Sequence, residues 1–540
     1  MTIRTRESHM PESSPKQRES VSPCPISRLV LAGLVLAFAA GLALRFSALS
    51  RQSYWYDEMN GIRIAWRPYV EILQELEADA SPPFYYFSLH PWLHLFGDSE
   101  ASTRAFSALF GALLLPCILL AGRRLFDART GTIAMALAAG AHVHIYYSQE
   151  ARMYAMLALF ALLSMLSHHQ AWQHGRRTAW GQCVLWTVLA MYTHNYGVFI
   201  ALAGGVYGLS CWRQQPDRRP AFVCALLLTG SLYLPWFFFA CRYQFAGTAI
   251  TGGWLPRFRL SHLLETATSL SGVRLVGNGS LVYWVALVGL AAYVACWANA
   301  LGMLKPKTDG RASLEGCSPP GSGLRIAALY FLIPLVIPML VSVVKPIFLP
   351  HRYSMAAWPA CVLLAAFGLK RIRYPVLRKA VMAAIAVNMV LSMLWHFGAE
   401  VKAPDREVAA AIADRLEARD CIIYSPHWAG VTFSHYLRNR PHQLGFPARA
   451  LAERAEHNEA RERETRSLED VLTVIDTEMN RLGGRVFLVR TRWEPKGRDL
   501  RDALDQRLQL VERQGFHETM EVSLYTAAQT ATGTGLKEME

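Results

Sequence analysis

Charged residues are scarce in this sequence. They make up 18% of its 540 residues, whereas hydrophobic residues make up 52%. Soluble proteins average about 25% charged residues, so an ordinary soluble fold is excluded. Apolar runs of about 20 residues, long enough to cross a bilayer, recur along the chain. We therefore predict a polytopic α-helical membrane protein. About eleven spans are expected, at residues 28–48, 103–122, 131–148, 153–171, 180–193, 196–212, 221–241, 281–302, 325–344, 353–369 and 376–396.

Paired cysteines and metal-binding motifs are also lacking. The ten cysteines are scattered, and none forms a CxxC or similar spacing. Residues beyond 398 contain one cysteine, Cys421, which excludes an internal disulfide framework there. His142 and His144 are two residues apart and do not align on a helix, while His168-His169 lies toward the other membrane face. No metal site is predicted.

The net charge of +14 follows the membrane topology and does not indicate nucleic-acid binding. Basic residues cluster in alternate short loops, at 123–129, 176–177, 213–219, 305–311 and 370–379. The positive-inside rule makes these loops cytoplasmic, together with the N-terminus. The intervening loops and the C-terminal part of the chain are then on the outer side. The segment 180–212 must break at His194-Asn195 to keep its flanking basic clusters on one side.

Composition divides the chain into four parts. Residues 1–27, rich in Ser, Pro and charge, are expected to be a disordered cytoplasmic tail. Residues 28–398 form the transmembrane module, whose outer loop 50–100 carries interfacial helices, one of them amphipathic over Gly61–Glu77. Residues 399–530 alternate strand-like and helical stretches, which predicts a small soluble α/β domain on the outer side. Residues 531–540 are expected to be a flexible tail.

Asp57-Glu58 is the most informative pair of residues. These adjacent carboxylates follow the first span and stand beside the aromatic residues 54–56. Charged groups in a membrane are costly, by about 2.5–3.5 kcal/mol at the bilayer centre, and they are usually functional. The position suits a general base that acts where a lipid headgroup meets a substrate from the aqueous side.

Two further polar clusters occur at outer ends of spans. Residues 146–154 contain Glu150 and Arg152, which are two apart and so do not pair with each other on a helix. Residues 345–353 contain Arg352, whose guanidinium could grip a phosphate through two hydrogen bonds or simply reach out from a helix end to the interface.

Together these motifs resemble the membrane glycosyltransferases of the C-type fold, in the branch of the protein O-mannosyltransferases and the lipid A aminoarabinose transferase. The resemblance covers roughly residues 28–370 and is most specific in the Gln-Glu-Ala-Arg segment and the Pro-Pro-aromatic loop. The matching segments are Tyr56-Asp57-Glu58, Ser81-Pro82-Pro83-Phe84-Tyr85-Tyr86, Phe96-Gly97-Asp98-Ser99-Glu100, Tyr147-Ser148-Gln149-Glu150-Ala151-Arg152-Met153-Tyr154 and His351-Arg352-Tyr353.

The resemblance implies an inverting transfer of a sugar from a polyprenyl-phosphate donor to a hydroxyl acceptor. Asp57 would be the general base, and Glu58 and Glu150 would orient the substrates. The donor phosphate would be bound by Arg352, Arg152, Lys345 and His351. The substrate groove would be lined by Tyr56, Pro83, Tyr86, Tyr147, Gln149 and Tyr353. No cofactor is required, although a divalent metal that bridges Asp57 and the phosphate would be compatible with this chemistry.

The resemblance also implies a bacterial inner membrane protein that works on the periplasmic face. The partners would be the polyprenyl-phosphate sugar, the membrane and an acceptor that is a lipid, a glycan or a protein. Three alternatives stay open at this point. One is a polysaccharide polymerase or ligase that uses a diphosphate-linked glycan. Another is a membrane transporter or flippase, in which ionisable groups would be expected nearer the bilayer midplane. The third is a non-catalytic membrane scaffold whose outer domain binds a partner.

Overall fold

The architecture comes from a computed structural model. It describes residues 28–79, 81–244, 255–273, 280–302, 321–438, 443–446, 449–450, 468, 472–473, 475–477, 479, 483–491, 495–516 and 519–527. The two predicted tails, at 1–27 and 531–540, lie outside the described residues.

Helices make up the first part of the chain, as the apolar runs predict. In order they are α1 (Arg28–Phe46), α2 (Tyr56–Ala65), α3 (Tyr69–Asp79), α4 (Phe84–Phe96), α5 (Glu100–Leu125), α6 (Ala128–Ala139), α7 (His142–Ser148), α8 (Tyr154–His174), α9 (Arg177–Thr193), α10 (Gly197–Cys211), α11 (Arg219–Gln244), α12 (Ser261–Ser271), α13 (Leu281–Leu301), α14 (Ser322–Val341), α15 (Pro350–Tyr353), α16 (Trp358–Arg371) and α17 (Pro375–Gly398). α8 is buried along most of its length and packs against α5, α9 and α16 at the centre of this module.

Among the described residues, fewer helices than predicted meet the length and hydropathy expected of a membrane span. Six described helices are long and apolar enough to cross a bilayer, or seven if Pro350–Ala356 and α16, bent by 77°, form one broken span. α6, α9 and α10 have 12, 17 and 15 residues. Such helices measure about 18–26 Å, less than a hydrocarbon core of about 30 Å. The polytopic helical fold is confirmed, whereas the count of about eleven spans is not.

The loop between α1 and α5 contains three helices. The sequence predicts a single amphipathic helix over Gly61–Glu77, but the structure has α2 and α3, separated near Pro68. Proline lacks the amide donor and disfavours helical geometry in the residue before it, here Arg67. Of the two helices, α2 is the one that contributes to the site, because it carries Asp57 and Glu58 in its first turn.

The C-terminal α/β domain is present, as predicted. Its helices are α18 (Asp405–Ala413), α19 (Gly430–Tyr436) and α20 (Pro495–Arg507), and its strands are β1 (Cys421–Ser425), β2 (Gln443–Gly445), β3 (Arg449–Ala450), β4 (Val486–Thr491), β5 (Leu508–Phe516) and β6 (Met520–Ala527). The described strands form one sheet in the order β3-β2-β1-β4-β6-β5. β1 pairs in parallel with β2 and β4, whereas β6 runs antiparallel to β4 and β5. Both faces of β1 and β4 are covered, so these largely apolar strands are buried throughout, including their polar residues Ser425, Arg490 and Thr491.

The α/β domain packs against one end of the helical module, which we call the outer end. α19 contacts α2. The Tyr436 hydroxyl donates to Glu100 over 2.6 Å and accepts from the Tyr54 amide over 2.8 Å. Arg406 donates to the second oxygen of Glu100 over 2.8 Å. These contacts fix the domain directly over the first turn of α2. The predicted boundary at residue 398 coincides with the end of α17.

Candidate active site

Asp57 forms an ion pair with Arg352, and the two residues are 295 positions apart in the sequence. Asp57 lies in the first turn of α2, and Arg352 lies in the short helix α15. The guanidinium of Arg352 also lies over the Trp55 ring, 4.4 Å from its centroid, in a cation–π contact. Both charged side chains keep about a quarter of their surface exposed, 24% for Asp57 and 22% for Arg352. The pair is therefore accessible to a ligand.

Glu58, the adjacent carboxylate, is fully buried in a network of charges. Arg104 on α5 donates two hydrogen bonds to it, of 2.9 and 2.8 Å, and Lys402 donates a third of 2.7 Å. The Ala151 amide donates a fourth, of 3.0 Å. Burial by itself would raise the pKa of Glu58, but the charges of Arg104 and Lys402 lower it to about 2. Glu58 is therefore an ionised anchor for α2.

The surroundings of Glu150 shift its pKa in the opposite direction, upward. It lies in the turn between α7 and α8, is 1% exposed, and its Oε2 atom has no hydrogen-bond partner among the described residues. Burial raises its pKa; the charges of Lys402 and Arg352 oppose this, and those of Glu58 and Asp57 add to it. The pKa values of the two glutamates are therefore shifted in opposite directions. Such opposite shifts are common where neighbouring groups share acid and base roles.

The segment around Glu150 also holds α2 in place. Arg152 donates a hydrogen bond of 3.0 Å from Nη1 to the carbonyl oxygen of Asp57. Gly61 on α2 lies beside this guanidinium, and a Cβ atom there would make ordinary contacts of 3.4 Å with the same Nη1 and 3.7 Å with the Tyr86 ring. Arg152 thus contacts the backbone that carries the proposed base.

The predicted groove aromatics lie in the same region. Tyr147 packs against Tyr154, with ring centroids 5.0 Å apart, and Tyr353 packs against His194 and Tyr196 at 5.2 and 4.8 Å. Tyr56 meets Trp428 of the C-terminal domain edge-on at 5.6 Å. Pro83 is buried at the N-terminus of α4, one turn from the buried Tyr86.

Three predicted site residues are placed away from this cluster. The Gln149 amide donates to the carbonyl oxygens of Leu44 and Ser47 and pairs with His396 at 2.8 Å, so it joins the ends of α1 and α17. Lys345 and His351 are exposed and do not line the cavity described next. Their assignment to the donor phosphate stays a prediction.

A cavity of about 310 Å³ lies between the helical module and the C-terminal domain. Trp55, Tyr56, Tyr146 and Arg352 line it from the module. Its opposite wall is formed by residues of the linker and the α/β domain, among them Lys402, Asp405, Trp428 and Thr491. None of these four was predicted. Arg104 was also missed, although an arginine within an apolar span is itself a signal for a buried partner.

Within the described part of the chain, no group of three or more His, Cys, Asp or Glu side chains is placed to hold a metal ion. The cations beside the carboxylates are Arg352, Arg104 and Lys402. Asp57 itself is paired with a guanidinium.

Comparisons with known proteins agree with the overall fold. Residues 80–238 match a family model described as dolichyl-phosphate-mannose-protein mannosyltransferase. ArnT from Cupriavidus metallidurans, in its apo state, superposes with a TM-score of 0.58 at 16% identity, over 92% of this chain and 97% of ArnT. The same protein bound to undecaprenyl phosphate gives 0.56 at 16% identity over the same shares. The apo oligosaccharyltransferase of Archaeoglobus fulgidus gives 0.50 at 11% identity, over 86% of this chain and 69% of its own. No curated protein sequence matches.

The class of protein is defined by this fold. The chain has the C-type fold of membrane glycosyltransferases, and its likeness is to the mannosyltransferase and ArnT branch. The resemblance inferred from the sequence motifs is thereby confirmed. The level of identity establishes the fold, and the chemistry has to be argued from the residues of the site.

Replacing Glu58 by Gln tests the anchoring network. Removing one partner of a buried ion pair costs about 3–5 kcal/mol, because it leaves uncompensated buried charge, here on Arg104 and Lys402. We expect a clear loss of thermal stability for the purified protein in lipid nanodiscs. The matched control is Glu71→Gln, which removes an exposed i,i+4 pair with Arg67 and should change stability by less than about 1 kcal/mol.

The pH dependence of stability provides a second readout of the same network. The folded pKa of Glu58 is lower than its ordinary value of 4.5, so its contribution is complete above about pH 4.5 and is lost as the pH falls toward 2. The wild type should lose stability over this window more steeply than Glu58→Gln. Parallel curves for the two proteins would rule out the assigned network.

Proposed function

We propose that this protein is an inverting glycosyltransferase that moves a sugar from a polyprenyl-phosphate donor to a hydroxyl group of an acceptor. The observation that carries the proposal is the Asp57–Arg352 pair at the wall of the cavity between the two parts of the chain. A carboxylate that can take a proton and a guanidinium that can hold a phosphate are the two groups that such a transfer needs. Here they are already in contact.

In the proposed reaction the acceptor hydroxyl attacks the anomeric carbon while Asp57 takes its proton. The bond between that carbon and the phosphate oxygen breaks, and the phosphate leaves with the bonding electrons. One displacement from the opposite face inverts the configuration at the anomeric carbon. When the donor binds, Arg352 turns from Asp57 to the phosphate, which both places the leaving group and frees the carboxylate to act as base.

The developing phosphate charge would be stabilised by cations of the chain. Arg352 and Lys402 both line the cavity. Their positive charges are fixed before the reaction and partly shielded from water, which makes such stabilisation strong. Lys402 also holds Glu58, so its position is fixed by the same network that fixes α2. Glu150 and Arg152 would orient the substrates and the backbone around the base.

The donor class is supported by the fold and by the lipid setting. The structure of ArnT with a similar fold holds undecaprenyl phosphate, and the matched family model is named for a dolichyl-phosphate mannose reaction. The acceptor would be a lipid, a glycan or a protein that presents a hydroxyl group at the outer end. The charged residues of the candidate site, Asp57, Arg352 and Lys402, lie at that end, which argues against a transporter that binds its substrate near the midplane.

We propose a bacterial inner membrane location, with the N-terminus in the cytoplasm and the C-terminal domain in the periplasm. The basic loops at 123–129, 176–177 and 370–379 support this orientation, because they lie at the end of the module opposite the α/β domain. The candidate site then faces the periplasm, where lipid-linked sugars meet their acceptors.

Replacement of Asp57 by Asn should abolish transfer without unfolding the protein. The amide has nearly the same shape but cannot take a proton, and a positioned base contributes about 10²–10⁴-fold. In cells that lack the protein, mass spectrometry of lipid extracts should show accumulation of one polyprenyl-phosphate sugar. Wild-type protein should clear this lipid, and Asp57→Asn should not.

The matched control for this experiment is Asp414→Asn, since Asp414 is an exposed aspartate at the end of α18 and outside the cavity. It should clear the lipid as the wild type does. Clearance by Asp57→Asn, with equal amounts of protein in the membrane, would refute its role as the base.

Chelators test whether a divalent metal takes part. Because Arg352 and Lys402 occupy the cation positions beside the proposed base, we expect transfer by the purified protein to persist in excess EDTA. The substrate is the lipid that accumulates in the null cells, and transfer is followed by its consumption. Loss of activity in EDTA, restored by Mg²⁺ or Mn²⁺, would show that a metal is required and that the assignment of the cations is incomplete.

A further inference from the structure

The cavity wall contributed by the C-terminal domain has a composition that the transfer mechanism above does not use. It includes Asp405 at the start of α18, Trp428 in the turn His427–Ala429, and Thr491 at the end of β4. Thr432 and Thr519 complete the polar part of this wall. Together these residues come from segments that extend over more than a hundred positions of the domain, and the folded sheet brings them to one surface.

Several polar atoms of the lining residues are unpaired. Asp405 Oδ1, Thr491 Oγ1, Thr519 Oγ1 and, from the opposite wall, Trp55 Nε1 are buried without a hydrogen-bond partner among the described residues. Asp405 and Thr491 are 5% and 4% exposed. Each unpaired buried group costs about 1–3 kcal/mol, so native proteins keep few of them, and several around one cavity indicate a missing partner.

Asp405 is suited to bind hydroxyl groups. Thr432 donates a hydrogen bond of 2.6 Å to its Oδ2, which leaves Oδ1 available. Burial raises the pKa of Asp405 to about 7; the Thr432 hydrogen bond lowers it and the charge of Glu407 raises it. Near neutral pH this carboxyl group can therefore either accept or donate a hydrogen bond, as hydroxyl groups also can.

Four residues of the cavity lining are aromatic. Tyr56 and Trp428 meet edge-on, and Trp55 and Tyr146 lie on the side of the membrane module. Aromatic rings offer apolar faces to the C–H side of a small ligand, while the polar atoms between them fix its orientation. The volume of about 310 Å³ is at the lower end of the range for small-molecule sites, about 300–1,000 Å³. The cavity therefore suits a small hydroxylated group.

From this arrangement we infer that the C-terminal domain forms the pocket for the sugar of the donor, with Asp405, Thr491, Thr519 and Trp428 as the residues that recognise it. The inference rests on the proposed function, since it assumes that Arg352 holds the phosphate to which the sugar is attached. Arg352 lines the same cavity, so a sugar bonded to that phosphate extends toward the α/β domain. The domain then determines which sugar is transferred.

A binding experiment distinguishes recognition of the sugar from binding of the lipid phosphate. The full-length protein in nanodiscs is titrated with undecaprenyl phosphate and with the same lipid carrying mannose, glucose or an aminoarabinose. The wild type should bind at least one of the sugar lipids about tenfold more tightly than the sugar-free lipid, as a single hydrogen bond to a buried polar group would give. Asp405→Asn and Thr491→Val should each reduce this preference severalfold and leave the affinity for undecaprenyl phosphate unchanged.

The controls are matched in chemistry and in domain. Asp414→Asn and Thr526→Val make the same replacements in the α/β domain at positions that do not line the cavity. Both should keep the wild-type preference. Thr491→Val keeps the shape of the side chain, and melting curves show whether each variant is folded.

Four outcomes would overturn the inference. Equal affinity of the wild type for sugar-free and sugar-bearing lipids would show that the pocket is filled by water or stays empty. Unchanged preference in Asp405→Asn and Thr491→Val, combined with slower transfer, would assign the pocket to the acceptor. A wild type that does not bind undecaprenyl phosphate at all would refute the proposed function, and the sugar pocket with it. If binding and Asp57-dependent transfer persist while the preference is unaffected, only the sugar pocket is wrong.

Discussion

Glu58 has its carboxylate buried between a guanidinium of the membrane module and an ammonium group of the linker that leads into the C-terminal domain. Taking three charged groups out of water is costly, and such networks often add little net stability. The effect of this network is to fix the position of α2. It fixes the first turn of α2 against α5, against the Ala151 amide and against Lys402. Because Asp57 is the adjacent residue, the location of the proposed base and the docking of the C-terminal domain depend on the same contacts.

The three acidic residues thereby take different roles from different surroundings. Asp57 is partly exposed and is paired with Arg352. Glu58 is ionised, and both of its oxygens accept hydrogen bonds. Glu150 is buried with one oxygen unpaired among the described residues, and burial favours its neutral form. We propose that they serve respectively as a base, an anchor and a group that orients the substrates.

Local sequence signals predicted the membrane fold and the residues at the ends of the helices. Charges at the ends of apolar runs are conspicuous, so Asp57, Glu150 and Arg352 could be found and assigned to one face from the alternation of basic loops. Three features could not be predicted. The break at Pro68 separates α2 and α3, which the hydrophobic periodicity predicts as one helix. The helices α6, α9 and α10 are apolar but short. Gln149 joins the ends of α1 and α17. The positions of Lys402, Asp405 and Trp428 beside the cavity depend on the contact between the C-terminal domain and the membrane module. No periodicity in the sequence predicts that contact.

In the proposed reaction Arg352 exchanges Asp57 for the phosphate of a lipid-linked sugar. A cryo-EM structure of the protein in nanodiscs with undecaprenyl phosphate would show this exchange. We expect the phosphate within hydrogen-bonding distance of the Arg352 guanidinium, with the Asp57 carboxylate released toward the cavity and the Glu58 network unchanged. A phosphate bound elsewhere, with the Asp57–Arg352 pair intact, would contradict it.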